Sequence, residues 1–142
     1  MDPDGPEVER EFFYALEGCS SDTELDLSSV VDELAFDHRG LLPVITQDSR
    51  TKQVLMFAWV NRESLKLTIE TQRMTYWSRS RQQLWMKGEI SGNTQRLVSM
   101  SFDCDGDVVL CQVESAGPAC HTGRETCFYL GVDPTNEKVV IE

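Results

Sequence analysis

The sequence predicts an α+β domain, a compact and mostly-β unit with one main helix. Its 142 residues, 40% of them hydrophobic, are enough for one buried core. From residue 41 onward, short runs of apolar and β-branched residues recur between turn residues, which is typical of strands. One segment, residues 62–71, instead has helical apolar spacing and follows Asn61, a favourable helix cap. Many short strands with a single strong helix favour the α+β class.

The N-terminal part is predicted to be an appendage. We expect residues 1–28 to form an acidic extension and residues 29–142 to form the functional domain. A short helix is predicted over residues 7–17, because its apolar residues recur near helical spacing and acids fill its first turn. These apolar residues are Val8, Phe12, Phe13 and Leu16. A second short helix is predicted over residues 29–35.

The main domain begins near Leu41 with two strands joined by a polar turn, a hairpin pattern. The helix at 62–71 follows, and five further strands complete the chain. The predicted strands are residues 41–47, 53–60, 74–80, 96–102, 108–113, 127–132 and 138–141.

The net charge of −11 is unevenly distributed. Residues 1–37 hold twelve acids and one base, whereas residues 39–96 hold ten bases and four acids. Residues 103–142 reverse this balance, with two bases and eight acids. The basic part suits anionic phosphates and the acidic part suits cations.

Localisation follows from what the sequence lacks. The N-terminus has no signal-peptide pattern, and there is no run of 18 apolar residues. We therefore expect a cytoplasmic protein with no membrane partner.

The five cysteines do not indicate a disulfide framework, because their number is odd and no secretion signal is present. Cys104, Cys120 and Cys127 occur in polar, glycine-containing segments, where metal-binding or catalytic thiols are found. Cys19 and Cys111 are expected to be unliganded, and Cys111 falls in an apolar strand.

The acidic pentad Asp103-Cys104-Asp105-Gly106-Asp107 predicts a cation site. On a strand, the three aspartates would share one face and Cys104 would point to the other. The chain must bend to gather all three carboxylates, and Gly106 permits a bend. The alternative is a solvated acidic turn. An EF-hand is rejected, because Val108 occupies the position that needs glycine.

The second cluster joins Cys120 and Cys127 through a glycine-containing loop. With Cys104 they make three thiolates, the ligand number that catalytic zinc sites use while leaving one position open. His121 follows Cys120 directly, and a histidine both accepts and donates protons near neutral pH. Buried cysteines without a metal are the alternative.

A basic and aromatic segment spans residues 75–95. Arg79, Arg81 and Lys87 are candidates for charge-assisted bonds to phosphate, and Gly88 and Gly92 suit close approach by a ligand. Two other interpretations stay open: a single-strand nucleic-acid platform, and an ordinary strand with core aromatics.

Taken together, these motifs resemble the phosphoribosyl-AMP cyclohydrolase family over roughly residues 30–131. The resemblance rests on Trp77-Ser78-Arg79-Ser80-Arg81, Leu84-Trp85-Met86-Lys87-Gly88-Glu89, Asp103-Cys104-Asp105-Gly106-Asp107, and Gly117-Pro118-Ala119-Cys120-His121-Thr122-Gly123 through Cys127-Phe128. Their order and spacing match the family.

The resemblance implies a homodimeric enzyme of histidine biosynthesis that opens the adenine ring of phosphoribosyl-AMP by hydrolysis. It implies zinc on Cys104, Cys120 and Cys127, with Cys104 from a different subunit, and magnesium on Asp103, Asp105 and Asp107. His121 is the expected catalytic base. The expected substrate-binding residues are Ser78, Arg79, Ser80, Arg81, Trp85, Lys87, Glu89, Ser91, Asn93 and Thr122.

Two positions depart from the family pattern. Ile90 stands where members usually carry Thr or Ser, and Asn93 stands where many carry His. The expected partners are a small nucleotide substrate and a second copy of the chain, not a nucleic acid. The competing hypotheses are a single-strand nucleic-acid-binding module and a zinc-stabilised structural domain without activity.

Overall fold

The computed structural model describes residues 7–142, with side chains from residue 11 onward. Its elements in chain order are α1 (Glu7–Leu16), α2 (Leu27–Glu33), β1 (Leu41–Asp48), β2 (Val54–Asn61), α3 (Arg62–Thr71), β3 (Thr75–Ser78), β4 (Gln83–Met86), β5 (Gln95–Phe102), β6 (Val109–Ser115), β7 (Leu130–Asp133) and β8 (Lys138–Ile141). The expected mostly-β character of the domain is confirmed. One main helix was expected, but α1 and α3 each have ten residues, so the described part of the chain has two helices of this length.

A four-stranded sheet with the order β2-β1-β6-β5 forms the centre. β1 and β2 make the expected antiparallel hairpin, while β1 and β6 run parallel and place Val44 opposite Val109. Alternate residues of the two central strands are fully buried, because successive side chains point to opposite faces of a sheet. They are Leu42, Val44 and Thr46 on β1, and Val109, Cys111 and Val113 on β6.

The helix α3 begins at a capping box, in which Asn61 Oδ1 accepts from the Ser64 amide and Ser64 Oγ accepts from the Asn61 amide, each at 2.8 Å. This arrangement satisfies amide groups that the first helical turn leaves unpaired. The buried Thr68 hydroxyl accepts from the amide of Thr75 at 3.0 Å. This bond connects α3 to the start of β3, where the basic and aromatic segment begins.

The strand β4 was not predicted. It pairs with β3 as a two-stranded ribbon, from Thr75 opposite Met86 to Ser78 opposite Gln83. None of its residues is fully buried. Leu84, Trp85 and Met86 are consecutive apolar residues, so the sequence shows no alternation that would identify a strand. The β7 strand begins at Leu130 rather than at Cys127, because the Cys127 amide donates to the Leu55 carbonyl of β2 instead.

The N-terminal helices pack into the same core as the sheet. Phe13 of α1 is 5% exposed, and Val31 and Leu34 at α2 are equally buried. Together with Val109 they belong to one hydrophobic cluster. Burying a side chain of this size stabilises a fold by about 1.5–3 kcal/mol, so α1 contributes to the core. None of the described helices is long and apolar enough to cross a membrane.

Candidate active site

A cleft of about 500 Å³ lies beside the β3–β4 ribbon. Its lining joins two distant parts of the chain. One is β4 with the turn after it, up to Asn93, and the other is the loop that begins at Cys120. The lining residues are Arg81, Gln83, Leu84, Trp85, Met86, Lys87, Gly88, Glu89, Ile90, Ser91, Asn93, Cys120, His121 and Gly123. The cleft therefore brings together the basic motif and the Cys120-His121 pair.

The turn at residues 87–93 forms one wall of the cleft and is held by its own backbone. The Gly92 amide donates to the Gly88 carbonyl at 2.8 Å, and the Lys87 amide donates to the Met74 carbonyl at 3.0 Å. Gly88 has a φ of +81°, and a Cβ there would overlap the backbone of Asn93. Glycine is required at this position by the close approach of the chain itself, and Gly88 also lines the cleft, where it was expected to admit a ligand.

The three cations that were expected to bind phosphate differ in where they lie. Lys87 is 8% exposed, and its Nζ lies 5.8 Å from the centre of the Trp85 ring. Arg81 also lines the cleft. Arg79 instead stacks on Trp59, with its guanidinium carbon 4.9 Å from the ring centre. Two of the three expected phosphate-binding cations therefore lie at the cleft.

Four of the other expected substrate residues, Trp85, Glu89, Ser91 and Asn93, line the cleft. Ser78 and Ser80 are not among its lining residues. Their hydroxyls lie 3.4 Å apart, and Ser78 Oγ accepts from the Arg81 amide at 3.3 Å. They thus shape the turn that carries Arg81.

The two departures from the family pattern differ in their surroundings. Ile90 lines the cleft and is 99% exposed, so its side chain is available to a ligand. Asn93 is packed against Gly117, where a Cβ would overlap the Asn93 carboxamide. Asn93 thus links the turn at residues 87–93 to the segment that leads to Cys120.

Three residues of β4, Gln83, Leu84 and Met86, also line the cleft. Leu84 and Met86 belong to a motif of the resemblance, but none of the three was expected to bind substrate.

The loop between Cys120 and Cys127, the thiol loop, brings the two thiols close enough for each to shift the pKa of the other. The Thr122 hydroxyl donates to Cys120 Sγ at 3.1 Å. This bond from Thr122, together with the Cys127 thiol, lowers the pKa of the Cys120 thiol. Partial burial and the neighbouring Cys120 raise the pKa of Cys127. Cys120 is accordingly the readier of the two to ionise.

Backbone contacts hold this loop against the sheet. The Cys120 amide donates to the Arg124 carbonyl at 3.1 Å and the Cys127 amide donates to the Leu55 carbonyl at 2.7 Å. Gly123 adopts a φ of +88°, in the left-handed region that favours glycine. The loop folds the second thiol back towards the first, as its composition predicts.

The acidic pentad forms the turn between β5 and β6, and the predicted bend at Gly106 is confirmed, with a φ of +66°. Asp103 Oδ1 accepts from the amides of Asp107 at 2.9 Å and Val108 at 3.2 Å. The ligand atoms of Asp103, Cys104 and Asp105 lie within 4.8 Å of one another. The expectation that Cys104 points away from the aspartates is wrong, because the pentad is a turn and not a straight strand.

This turn has the electrostatics of a cation site. Burial, together with the carboxyls of Asp103 and Asp105, raises the pKa of Asp107 to about 6. Asp105 is only 3% exposed. Carboxylates so close together repel one another, and a divalent cation removes that repulsion. The donor set therefore fits a hard cation, with a thiol beside it.

The three expected zinc ligands do not meet within one chain. Among the described residues, Asp103, Cys104 and Asp105 are the only group of three potential ligands whose atoms all lie within 4.8 Å. Cys104 therefore does not share a compact group with Cys120 and Cys127. The remaining cysteines are Cys111, fully buried in β6 with its pKa raised by burial to about 12, and the exposed Cys19.

Comparisons with known proteins match the part of the chain that contains the cleft residues and the cysteine motifs. The family model described as phosphoribosyl-AMP cyclohydrolase matches residues 56–129. A phosphoribosyl-AMP cyclohydrolase of Cereibacter sphaeroides is 50% identical over 109 residues, which cover 77% of this chain and 92% of the relative. That of Alkalilimnicola ehrlichii is 48% identical over 128 residues, 90% of both chains. That of Archaeoglobus fulgidus is 59% identical over 97 residues, 68% of this chain and 90% of the relative.

The raised pKa of Asp107 predicts that Asp107→Asn stabilises the metal-free chain. A carboxyl with a folded pKa near 6 and an ordinary pKa of 3.8 takes up protons on folding, so stability falls as the pH rises through this interval. At pH 7 the variant should be more stable by up to about 1 kcal/mol, since partial exposure weakens the repulsion. Urea unfolding with chelator present measures the difference, which should vanish towards pH 3.

The matched control is Asp133→Asn. Hydrogen bonds from the side chain and amide of Asn136 lower the pKa of Asp133, so neutralising it should not stabilise the chain. Equal stabilisation by both variants would show that overall charge, and not repulsion within the turn, is the cause.

Proposed function

The chain belongs to the phosphoribosyl-AMP cyclohydrolase family, and on that premise we propose how its residues carry out the reaction. The enzyme hydrolyses the N1–C6 bond of the adenine ring of 1-(5-phosphoribosyl)-AMP, a step of L-histidine biosynthesis. The product is the phosphoribosyl-formimino aminoimidazole carboxamide ribotide. The observation that carries the proposal is the cleft, which joins cationic residues to the Cys120-His121 pair.

The proposed catalytic metal is zinc on the thiolates of Cys104, Cys120 and Cys127. Support comes from the contact between Cys120 and Cys127 and from the lowered pKa of Cys120. Thiolates are preferred zinc ligands, and a catalytic site keeps one position open. When bound, zinc acts as a Lewis acid that makes water a nucleophile at neutral pH.

We assign the third zinc ligand to a second subunit. Among the described residues of one chain, Cys104, Cys120 and Cys127 do not form a group whose ligand atoms all lie within 4.8 Å of one another. In a dimer related by a twofold axis, Cys104 of each subunit completes the site of the other, so two equal sites form. The proposed active form is therefore a homodimer with zinc sites shared between subunits.

His121 is the proposed general base. It is exposed at the cleft beside Cys120, within reach of a ligand there. In the substrate, N1 carries a ribosyl group, so C6 of the adenine ring is amidine-like and electrophilic. The water oxygen bonds to C6 as His121 takes one of its protons, and His121 returns that proton to N1 as the C6–N1 bond breaks. The second proton of the water moves to the exocyclic nitrogen on C6, which gives the carboxamide.

The basic residues are proposed to bind the two substrate phosphates. Arg81 and Lys87 line the cleft. Arg79, two residues before Arg81, stacks on the Trp59 ring. Ser91, Asn93 and Glu89 supply polar groups for the sugar and base, with Trp85 as an apolar wall. In this proposal Ser78, Ser80 and Thr122 act by shaping the turn of Arg81 and by orienting the Cys120 thiol.

Magnesium is the proposed ion at Asp103, Asp105 and Asp107. Carboxylate oxygen is the ligand that magnesium prefers, and burial together with the neighbouring carboxyls of Asp103 and Asp105 raises the pKa of Asp107. We place the enzyme in the cytoplasm, a reducing compartment where the five free cysteines persist as thiols. We propose residues 29–142 as the domain that carries the reaction residues, with residues 1–28 as an acidic extension that packs on it through α1.

Cys120→Ser should abolish zinc binding and turnover, because a hydroxyl is a far poorer zinc ligand than a thiolate. Zinc content is measured on purified protein, and ring opening is followed by the ultraviolet absorbance of phosphoribosyl-AMP with and without chelator. Cys19→Ser, at an exposed cysteine outside the site, is the control and should change neither. A Cys120→Ser protein with stoichiometric zinc and full turnover would refute the assignment.

His121→Ala should keep zinc while turnover falls by about 10²–10⁴-fold, the usual effect of removing a general base. His38→Ala tests the only other histidine, which is exposed in a turn, and should leave turnover unchanged. If His121→Ala raises KM and leaves kcat unchanged, His121 binds substrate and is not the base.

Mixing two inactive variants tests the shared site. In a heterodimer of Cys104→Ala and Cys120→Ala, one site carries both defects and the other is intact. With free exchange, half the dimers are mixed, so activity should return to about a quarter of the wild-type rate per subunit. If all three thiols came from one chain, every site would carry a defect. No recovery after confirmed subunit exchange would rule out the shared site.

A further inference from the structure

The N-terminal helix α1 contacts the turn that carries the proposed metal ligands. Phe13 is 5% exposed, and its ring lies so close to Gly106 that a Cβ at that glycine would overlap it. Gly106 is itself buried and has a φ of +66°. Both the left-handed backbone and the close contact with the ring require glycine at this position.

A second contact supports the same point of the turn. The Ala35 amide, just after α2, donates to the Gly106 carbonyl at 2.8 Å. Val31 and Leu34 belong to the same hydrophobic cluster as Phe13. Gly106 is thus held by an aromatic ring from α1 and by a hydrogen bond from the end of α2.

We propose that Phe13 is a positioning residue for the metal-binding turn. Asp103, Cys104 and Asp105 are consecutive, so the spacing of their ligand atoms depends on the backbone torsions of the turn. The Phe13 ring restricts those torsions where the turn bends. The acidic extension then serves the site through α1. This inference rests on the proposed magnesium site.

The test compares three variants of the full chain after removal of bound metal. Phe13→Ala removes the ring and Phe13→Leu keeps apolar volume. Leu65→Ala is the matched core control, because Leu65 is 1% exposed on α3, whose neighbours are β2 and β3. The probe is Mn²⁺, which shares the oxygen-ligand preference of Mg²⁺. Its affinity is measured from the electron paramagnetic resonance signal of the free ion, at a temperature where all variants are folded.

Phe13→Ala should weaken Mn²⁺ binding by about 10–100-fold, the usual effect of losing a group that orients a metal ligand. Phe13→Leu should recover most of the affinity, and Leu65→Ala should bind as the unmodified chain does. Equal affinity in Phe13→Ala and the unmodified chain, or equal weakening in Phe13→Ala and Leu65→Ala, would overturn the proposal.

Hydrogen exchange separates this inference from the metal assignment. The Asp107 and Val108 amides donate to Asp103 Oδ1, and Gly106 donates to the Asp103 carbonyl. Without metal, Phe13→Ala should accelerate exchange at these amides, whereas Leu65→Ala should not. If the unmodified chain binds no Mn²⁺, the magnesium assignment fails, and these exchange rates alone decide whether Phe13 positions the turn.

Discussion

The buried hydroxyl of Tyr76 links the central sheet to the ribbon that carries the cleft. It donates to Gln95 Oε1 at 2.6 Å and lies 2.8 Å from Thr46 Oγ1. Because its single proton goes to Gln95, Thr46 is the donor in the second bond. These residues stand on β3, β5 and β1, and all are at most 1% exposed. Losing one partner would leave a buried polar group unsatisfied, so the three strands are constrained together.

The placement of the cleft follows from this connection. Gln95 begins β5 directly after the turn that forms one wall, and its carbonyl accepts from the Met74 amide at 3.0 Å. The opposite wall is tied in by the Ala116 amide, which donates to the Thr94 carbonyl at 2.8 Å. Rigid support of this kind suits a site in which a misplaced group is costly for catalysis. Exposed lining residues such as His121 and Ile90 thus lie on segments that buried hydrogen bonds and apolar contacts hold in place.

Electrostatics explains why the proposed centre needs cations. Burial and the neighbouring carboxyls of the acidic turn raise the pKa of Asp107 to about 6. The thiol loop places Cys127 against Cys120, where two thiolates would repel each other. A cation bound at either group offsets this repulsion. In the proposed dimer, Cys104 links the acidic turn of one subunit to the thiol loop of the other. Ion binding and subunit association are then coupled.

The sequence by itself determined the fold class, the bounds of α3 and the residues of the motifs, because these depend on local periodicity, capping and turn chemistry. Only the tertiary structure decided which motifs meet. It placed His121 and Lys87 at one cleft and put Phe13 on Gly106, and it did not gather Cys104, Cys120 and Cys127 into one compact group. The strand β4 was not predicted, because its residues show no alternation and its pairing with β3 is a tertiary contact. Contacts between residues far apart in the chain arise from packing and strand pairing, which leave no periodic signal in either segment.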